Sequence, residues 1–418
     1  MAPHALSITD GTTTIDLNLA AGNMVQSYEM DTAEDIHDPK ITESLEIMFV
    51  ASSGPNLQTA INAVEKLLVA ARFRQDKPNA FPRVYLQLQV DGEASSWRAE
   101  IIEGRLRPGA DVLRLWPNFK AGYTLMVTHR AWEGPRKELS ISTSGNSAGT
   151  GGKPITNSAS NWIQIASSQV VGVLPTPLEL ALTNNGGAGV GYRNFYLGNN
   201  AFSGTGLTHG YSGGSVTLSA SGGVYTGQIT VALSAAQMQL TDGRAFKIFA
   251  RFTTQTASVY CKVVLKDIFN LLPLAEGDEI YLPLASAGSR WVDLGVLPLP
   301  PGGYSTGWTD TNLNFVFRAA SAASMTLNVA RILGLDSYQY IVQRGYTVDA
   351  GGTMTFDNIE GLFHSGGQPI YSVRSEKPLM VFPGVTQRVN IMFDEGSSSD
   401  TAKTLSVQAY IRERRLTV

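Results

Sequence analysis

"RWVDLGVLPLPPGG", residues 290–303, is a strand run into a brake. Val292, Leu294 and Val296 alternate with Asp293 and Gly295, the two-residue period that sends successive side chains to opposite faces of a sheet. Pro298, Pro300 and Pro301 follow at once, with Gly302 and Gly303 behind them. Proline has no N–H for a central ladder, so pairing stops there and the segment reads as the rim of a sheet. On either side "RAFKIFARFTT" (244–254), "SVYCKVVLK" (258–266) and "LNFVFRAAS" (313–321) keep the same period. From Trp162 to about residue 342 such strands recur with turn residues between them and no convincing helical stripe, the pattern of a jelly-roll-like antiparallel β-sandwich.

The N-terminal part differs by one helix. "TTTIDLNL" (12–19), "SLEIMFVA" (44–51), "RVYLQLQV" (83–90), "SSWRAEIIEGRL" (95–106) and "YTLMVTHRAW" (123–132) alternate as strands do. Between them Leu57, Ile61, Val64, Leu67, Leu68 and Ala71 recur at three- and four-residue steps behind Gly54-Pro55-Asn56, the stripe of an amphipathic helix. The expected division is a β-barrel-like unit over 1–138 with its helix at about 57–73, a Gly/Ser linker over 139–160, the sandwich over 161–342, and a C-terminal β segment over 343–418. Alternation at Val389, Ile391 and Phe393 and again at Leu405, Val407, Ala409 and Ile411, joined by the polar "DEGSSSDTAK" (394–403), reads as a long-looped hairpin. That segment is either a small unit of its own or the completion of the N-terminal sheet. The fold class is mainly β.

Totals bound the rest. At 418 residues the chain exceeds a single core, and 43% hydrophobic residues with 16% charged and 42 glycines fit turn-rich β units. A net charge of −3 supplies no field for a phosphate backbone, so no nucleic-acid partner is expected. The basic run Arg412, Glu413, Arg414, Arg415 reads as a solvated strand end or a subunit contact. The single cysteine, Cys261, alternates with Val259 and Val263 and reads as a buried small hydrophobe. No long apolar run predicts membrane insertion, and "MAPHALSITDG" lacks a signal peptide's basic and apolar regions, which places synthesis and assembly in a cytoplasm.

Candidate chemistry reduces to weak patterns. "GNSAG" (145–149) and "GYSGG" (210–214) match a nucleophile elbow in letters, but neither is set between a strand and a helix. His4, His37, His129, His209 and His364 have no metal-ligand spacing, and the glycine-rich "GAGVG" and "GTGLTHG" precede no helix. Asp267, Glu276, Asp278, Glu279 and Asp293 offer carboxylates for a glycosidase without selecting a pair, and Asp267, Asp310 or Asp336 could hold a rim Ca²⁺. No catalytic residue, cofactor or metal is therefore assigned, and the chain is read as a non-enzyme. Exposed aromatics can hold a pyranose without catalysis, which makes Trp291, Tyr304 and Trp308 candidate glycan contacts, with Tyr192 and Tyr196 as further members. The acidic, aperiodic "SYEMDTAEDIHDPKITES" (27–44), with Glu29, Asp31, Glu34, Asp35 and Asp38, is a candidate arm that orders on a neighbouring copy, or a surface loop.

A β unit with one helix, a Gly/Ser stretch, "RAFKIFARFTT…WVDLGVLPLPPGG…LNFVFRAASAASMTLNVARILGLDSY" and "FPGVTQRVNIMFDE…TLSVQAYIRERRLTV" together resemble structural proteins of tailed bacteriophages and prophages, especially minor or distal tail proteins. The resemblance covers nearly the whole chain and rests on strand and turn patterns. It implies a homo-oligomeric ring or tip component of the virion tail, partnered by itself and other tail proteins, with an outward sandwich that touches host glycans. A segment after the sandwich departs from the simplest members, and tail-tube or capsid-decorating proteins share the same parts. A stand-alone glycan-binding module or adhesin is the alternative reading, and a glycosidase a more distant one.

Overall fold

The computed structural model describes residues 5–17, 24–31, 39–77, 80–89, 95–109, 119–143, 146–156, 162–186, 192–200, 211–218, 224–225, 227–233, 246–255, 258–267, 269, 271–282, 290–297, 311–319, 325–357, 362–365, 368–370, 373–374, 379–395 and 404–416. These form one long helix and a set of antiparallel sheets, and the chain is mainly β. It divides into two compact units, one of residues 1–137, 170–176 and 411–418, the other of 138–169 and 177–410.

In the first unit the strands are β1 (Ala5–Thr9), β2 (Thr14–Asp16), β3 (Met24–Asp31), β4 (Ile41–Val50), β5 (Tyr85–Gln89), β6 (Trp97–Pro108), β7 (Lys120–His129) and β8 (Trp132–Glu138), with helix α1 (Gly54–Asp76) between β4 and β5. They pair in the order β2-β1-β5-β6-β7-β4-β3, because the long β6 gives its first residues to β5 and its remainder to β7. Helix α1 starts where chemistry predicts: Ser53 accepts a hydrogen bond from the Asn56 N–H, and Pro55 occupies the first turn, where its missing N–H costs nothing. Leu57, Ile61, Val64, Leu67, Leu68 and Ala71 are its buried residues, and the helix lies on β6, β4 and β1. Around it Ile8, Leu45, Ile47, Phe49, Leu86, Trp97, Ile101 and Leu125 complete one core.

Close approach of helix and sheet is set at Gly104 on β6. A Cβ there would lie 2.5 Å from Leu68 Cδ2 and 3.2 Å from Val127 Cγ1. Gly104→Ala is expected to destabilise the protein by about 1–3 kcal/mol through overpacking. Urea denaturation checks this, and an unchanged midpoint would mean that Leu68 swings clear.

The run 412–415 belongs to this unit's interior architecture. Arg414 is buried and donates from Nη1 to the Pro175 carbonyl at 3.4 Å, Arg412 donates to the Gly134 carbonyl at 3.1 Å, and Arg415 lies over the Trp97 ring at 4.3 Å. The expectation of a solvated strand end is corrected: the long stems bury while their heads meet carbonyls and a ring.

In the second unit a ten-stranded sheet is organised by the strand Met325–Val348, which pairs with Tyr192–Asn200, Tyr211–Leu218, Phe246–Gln255 and Val373–Arg374. A five-stranded sheet runs Gly227–Leu233, Thr311–Ala319, Val259–Asp267, with Pro273–Glu276 and Ile280–Leu282 sharing the far edge of the last. The two sheets meet where Tyr211–Leu218 and Arg290–Leu297 touch Gly227–Leu233 and Val259–Asp267. Val259, Cys261, Val263, Leu265, Leu313, Phe315 and Phe317 are buried on the inner side, and burial pushes the Cys261 thiol up in pKa. A third group places Glu179–Asn184 between Thr404–Arg415 and Thr353–Asp357.

Three sequence expectations need correction here. The boundary at 342/343 falls inside the continuous strand Met325–Val348. The stretch 139–160 carries short strands at Ile141–Thr143, Asn146–Gly149 and Lys153–Thr156, held because Ile141 and Ile155 are buried and supply the burial that its glycines and serines lack. Finally, Gln387–Glu395 and Thr404–Arg415 are not a hairpin: the first pairs with Trp162–Ile165 and Tyr192–Asn200, the second with Lys153–Thr156 and Glu179–Asn184. Alternation marks which side of a strand is apolar and says nothing about its partner.

The opening strand stops at Leu297, directly before Pro298, and among the described residues pairs only with Phe246–Gln255. Its alternation is broken once. Gly295 has a φ of +83°, a β-bulge conformation that glycine adopts without a Cβ clash, and Asp293 Oδ1 accepts from its N–H at 2.9 Å. The bulge reverses the faces, so that Leu294 and Leu297 are buried while Val296 is exposed.

Candidate functional site

The five-stranded sheet assembles a row of side chains across its outer face. On Val259–Asp267, alternation turns Cys261 inward and therefore Tyr260 outward. Register then does the rest: Tyr260 stands opposite Tyr281 on one side and opposite Arg318 on the other. The two tyrosine rings are 5.1 Å apart and tilted, and the Arg318 guanidinium lies 3.9 Å over the Tyr260 ring, a cation–π stack. Glu279, two residues before Tyr281, takes Arg318 as a fork: Nε donates to Oε1 at 2.7 Å and Nη2 to Oε2 at 2.7 Å. The Tyr225 hydroxyl donates to Glu279 Oε1 as well. Beside this group Lys262 pairs with Glu276.

The charges of the cluster are fixed. Hydrogen bonds from Arg318 and Tyr225 hold the Glu279 carboxyl at about 2, while burial and the hydrogen bond to Glu279 push the Tyr225 phenol up to about 12. A carboxyl depressed in this way contributes fully above the ordinary carboxylate range, and the contribution is lost progressively as the pH falls from that range to about 2. The site therefore presents one charge state over the whole working range. Tyr281 is half exposed and accessible above the row.

Residues singled out in the sequence fall elsewhere. Trp291 occupies a strand position opposite Arg251, whereas Tyr304 and Trp308 lie outside the described residues. Glu29 and Asp31 are on β3, opposite Ser44 and Thr42, so the ends of the stretch 27–44 form a ladder; Glu34, Asp35 and Asp38 lie outside the described residues. Ser212 of "GYSGG" is within a strand, opposite Arg331, and Asn146–Gly149 of "GNSAG" is a strand paired with Ile141–Thr143. The carboxylates considered for hydrolysis hold local partners: Asp293 takes Lys247 at 2.6 Å, and Asp267 Oδ1 accepts from the N–H groups of Leu271 and Leu272 at 2.7 and 3.1 Å. Among the described residues no group of three or more His, Cys, Asp or Glu is placed to hold a metal ion, and no helix is long and apolar enough to cross a membrane.

The first unit holds two further charged clusters. Glu100 receives Arg74, Arg83 and Arg130 at 3.7, 3.9 and 3.4 Å, and Glu133 lies 3.6 Å from Arg98. Burial pushes Glu133 up in pKa against the pull of Arg414, Arg98 and Arg412, so its ionisation works against the fold as pH rises. Deeper, His129 Nε2 and Glu43 Oε1 are 3.0 Å apart with both side chains inaccessible, and Trp132 Nε1 donates to the same oxygen at 3.3 Å. His129 Nδ1 faces the Arg130 carbonyl.

No protein-family model matches the chain, and no curated protein does. Among solved structures it is similar to the phage p2 baseplate in its activated conformation with strontium, at 10% identity over 100% of both chains and a TM-score of 0.28. The corresponding structure with calcium is matched at 9% identity over 100% of both chains, TM-score 0.26. A structure of infectious bursal disease virus, Gt strain, is matched at 6% identity over 67% of this chain and 83% of that one, TM-score 0.20. All three come from virus particles, and scores this low carry no function from one chain to another.

Proposed function

We propose that the chain is a structural component of a bacteriophage tail, a distal or minor tail protein, that works by assembling with copies of itself and with other virion proteins and catalyses no reaction. The sequence resemblance supplies the class, and strand β3 is the observation that carries the mechanism. Among the described residues this eight-residue strand pairs with β4 alone, which leaves the backbone donors and acceptors of its other edge for a strand from a second copy. Its sequence carries two acidic positions, Glu29 and Asp31, so a pairing strand with basic residues is the expected complement.

Light scattering on the full chain, with negative-stain imaging, tests this. Rings or another defined multimer are expected. Gln26 is the extra residue at the bulge where β3 shifts register against β4, a position that tolerates proline. Gln26→Pro is expected to shift the species toward monomer with the thermal midpoint kept. A native chain that stays monomeric at high concentration and is missing from purified particles sinks the proposal, and would leave a stand-alone glycan-binding protein as the better reading.

A further inference from the structure

We infer that the row Tyr281, Tyr260, Arg318 and Glu279 on the five-stranded sheet is a binding site for a neutral saccharide. This inference does not depend on the assembly reading. Four observations converge. First, Tyr281 keeps about half its surface exposed, at 51%, which leaves a ring available to the C–H face of a pyranose, the apolar side of an otherwise polar ligand. Second, Arg318 and Glu279 are clamped to each other at 2.7 Å in two places, which sets donors and acceptors side by side, the arrangement that takes two neighbouring hydroxyls at once.

Third, the polar groups are already ordered. Arg318 is held by the fork to Glu279 and by the stack on Tyr260, and Glu279 additionally by the Tyr225 hydroxyl. Little side-chain entropy is left to lose when a ligand arrives. Its guanidinium has five N–H donors in its plane; Nε and Nη2 serve Glu279 through one hydrogen each, and Tyr225 is a further hydrogen-bond partner of the group. Fourth, the charges cancel: Arg318 is matched by Glu279 and Lys262 by Glu276. A site with no net charge gives no attraction to a sialylated, sulfated or phosphorylated ligand and suits an uncharged polyol.

An arrangement that only fastens residues 277–281 to the sheet would need Arg318, Glu279 and Tyr225 but would have no use for an exposed Tyr281 ring. That difference sets the test. The full chain is screened on an array of neutral, sialylated and sulfated oligosaccharides, and the strongest neutral hit is then titrated by calorimetry. Binding of neutral saccharides is expected, weakened about tenfold or more by Tyr281→Ala. Because Tyr281 is exposed, that variant should keep the native denaturation midpoint. Arg318→Lys, which retains the charge and loses the fork, is expected to weaken binding as well. The inference is overturned if no neutral saccharide binds, if charged ones bind more tightly, or if Tyr281→Ala and Arg318→Lys both bind as the native chain does.

Discussion

His129→Ala is expected to destabilise the protein by about 3–5 kcal/mol. The reason is that His129 and Glu43 are both fully buried and 3.0 Å apart, on β7 and β4. The carbonyl of Arg130 can only accept, so His129 Nδ1 carries a proton toward it. Nε2 faces Glu43 Oε1 at 3.0 Å. Removing the imidazole leaves a carboxyl inside the core with the Trp132 N–H as a remaining donor to that oxygen. The discriminating variant is His129→Leu combined with Glu43→Met, which removes both polar partners and keeps the volume. It is expected to lie close to the native stability, since buried pairs replaced by apolar residues are commonly neutral or better. Denaturant titration of the native chain, the two single variants and the double variant measures the coupling. Single losses that simply add in the double variant would mean that the two groups do not interact.

Phe317→Ala should carry a comparable loss, about 3–5 kcal/mol, for a different reason. Phe317 is completely buried on the inner face of the five-stranded sheet, and its cross-strand partners are Gly227 and Cys261. Glycine has no side chain and cysteine only a short one, so these two neighbours offer little to lean into the space left by the ring. Hydrogen exchange should rise along Val259–Asp267 and Thr311–Ala319, which are paired along their length. The next residue, Arg318, anchors the saccharide row, so the variant should also bind ligand less tightly. A loss below about 1 kcal/mol would place the ring in a cavity that refills.

Much of the fold was legible because periodicity is local. The six apolar helix positions from Leu57 to Ala71 are the residues that α1 buries. Strands were legible for the same reason, and even the stop at Pro298 was. Partners were not, because register and sheet membership depend on segments far apart in the chain. Gln387–Glu395 and Thr404–Arg415 alternate alike and lie in different sheets. The binding row follows the same rule: "SVYCKVVLK" announces an outward Tyr260, but nothing local says that Tyr281 and Arg318 will flank it. Glu43 did leave a sign, an acidic residue on the inward parity of Ile41, Leu45, Ile47 and Phe49. Such a residue needs a buried partner, and His129 is that partner. The arginines at 412, 414 and 415 left none, because a basic strand end looks the same in water and beneath a carbonyl.

The first unit draws on residues 1–137 and on 411–418, so its last piece leaves the ribosome 274 residues after residue 137. At usual elongation rates that is a delay of roughly 15–50 s. Throughout it, Trp97 lacks the Arg415 cover and the Gly134 carbonyl lacks Arg412. Completion of that unit is thereby tied to synthesis of residues 411–418, and a nascent chain cut short anywhere upstream of them leaves it open to proteolysis.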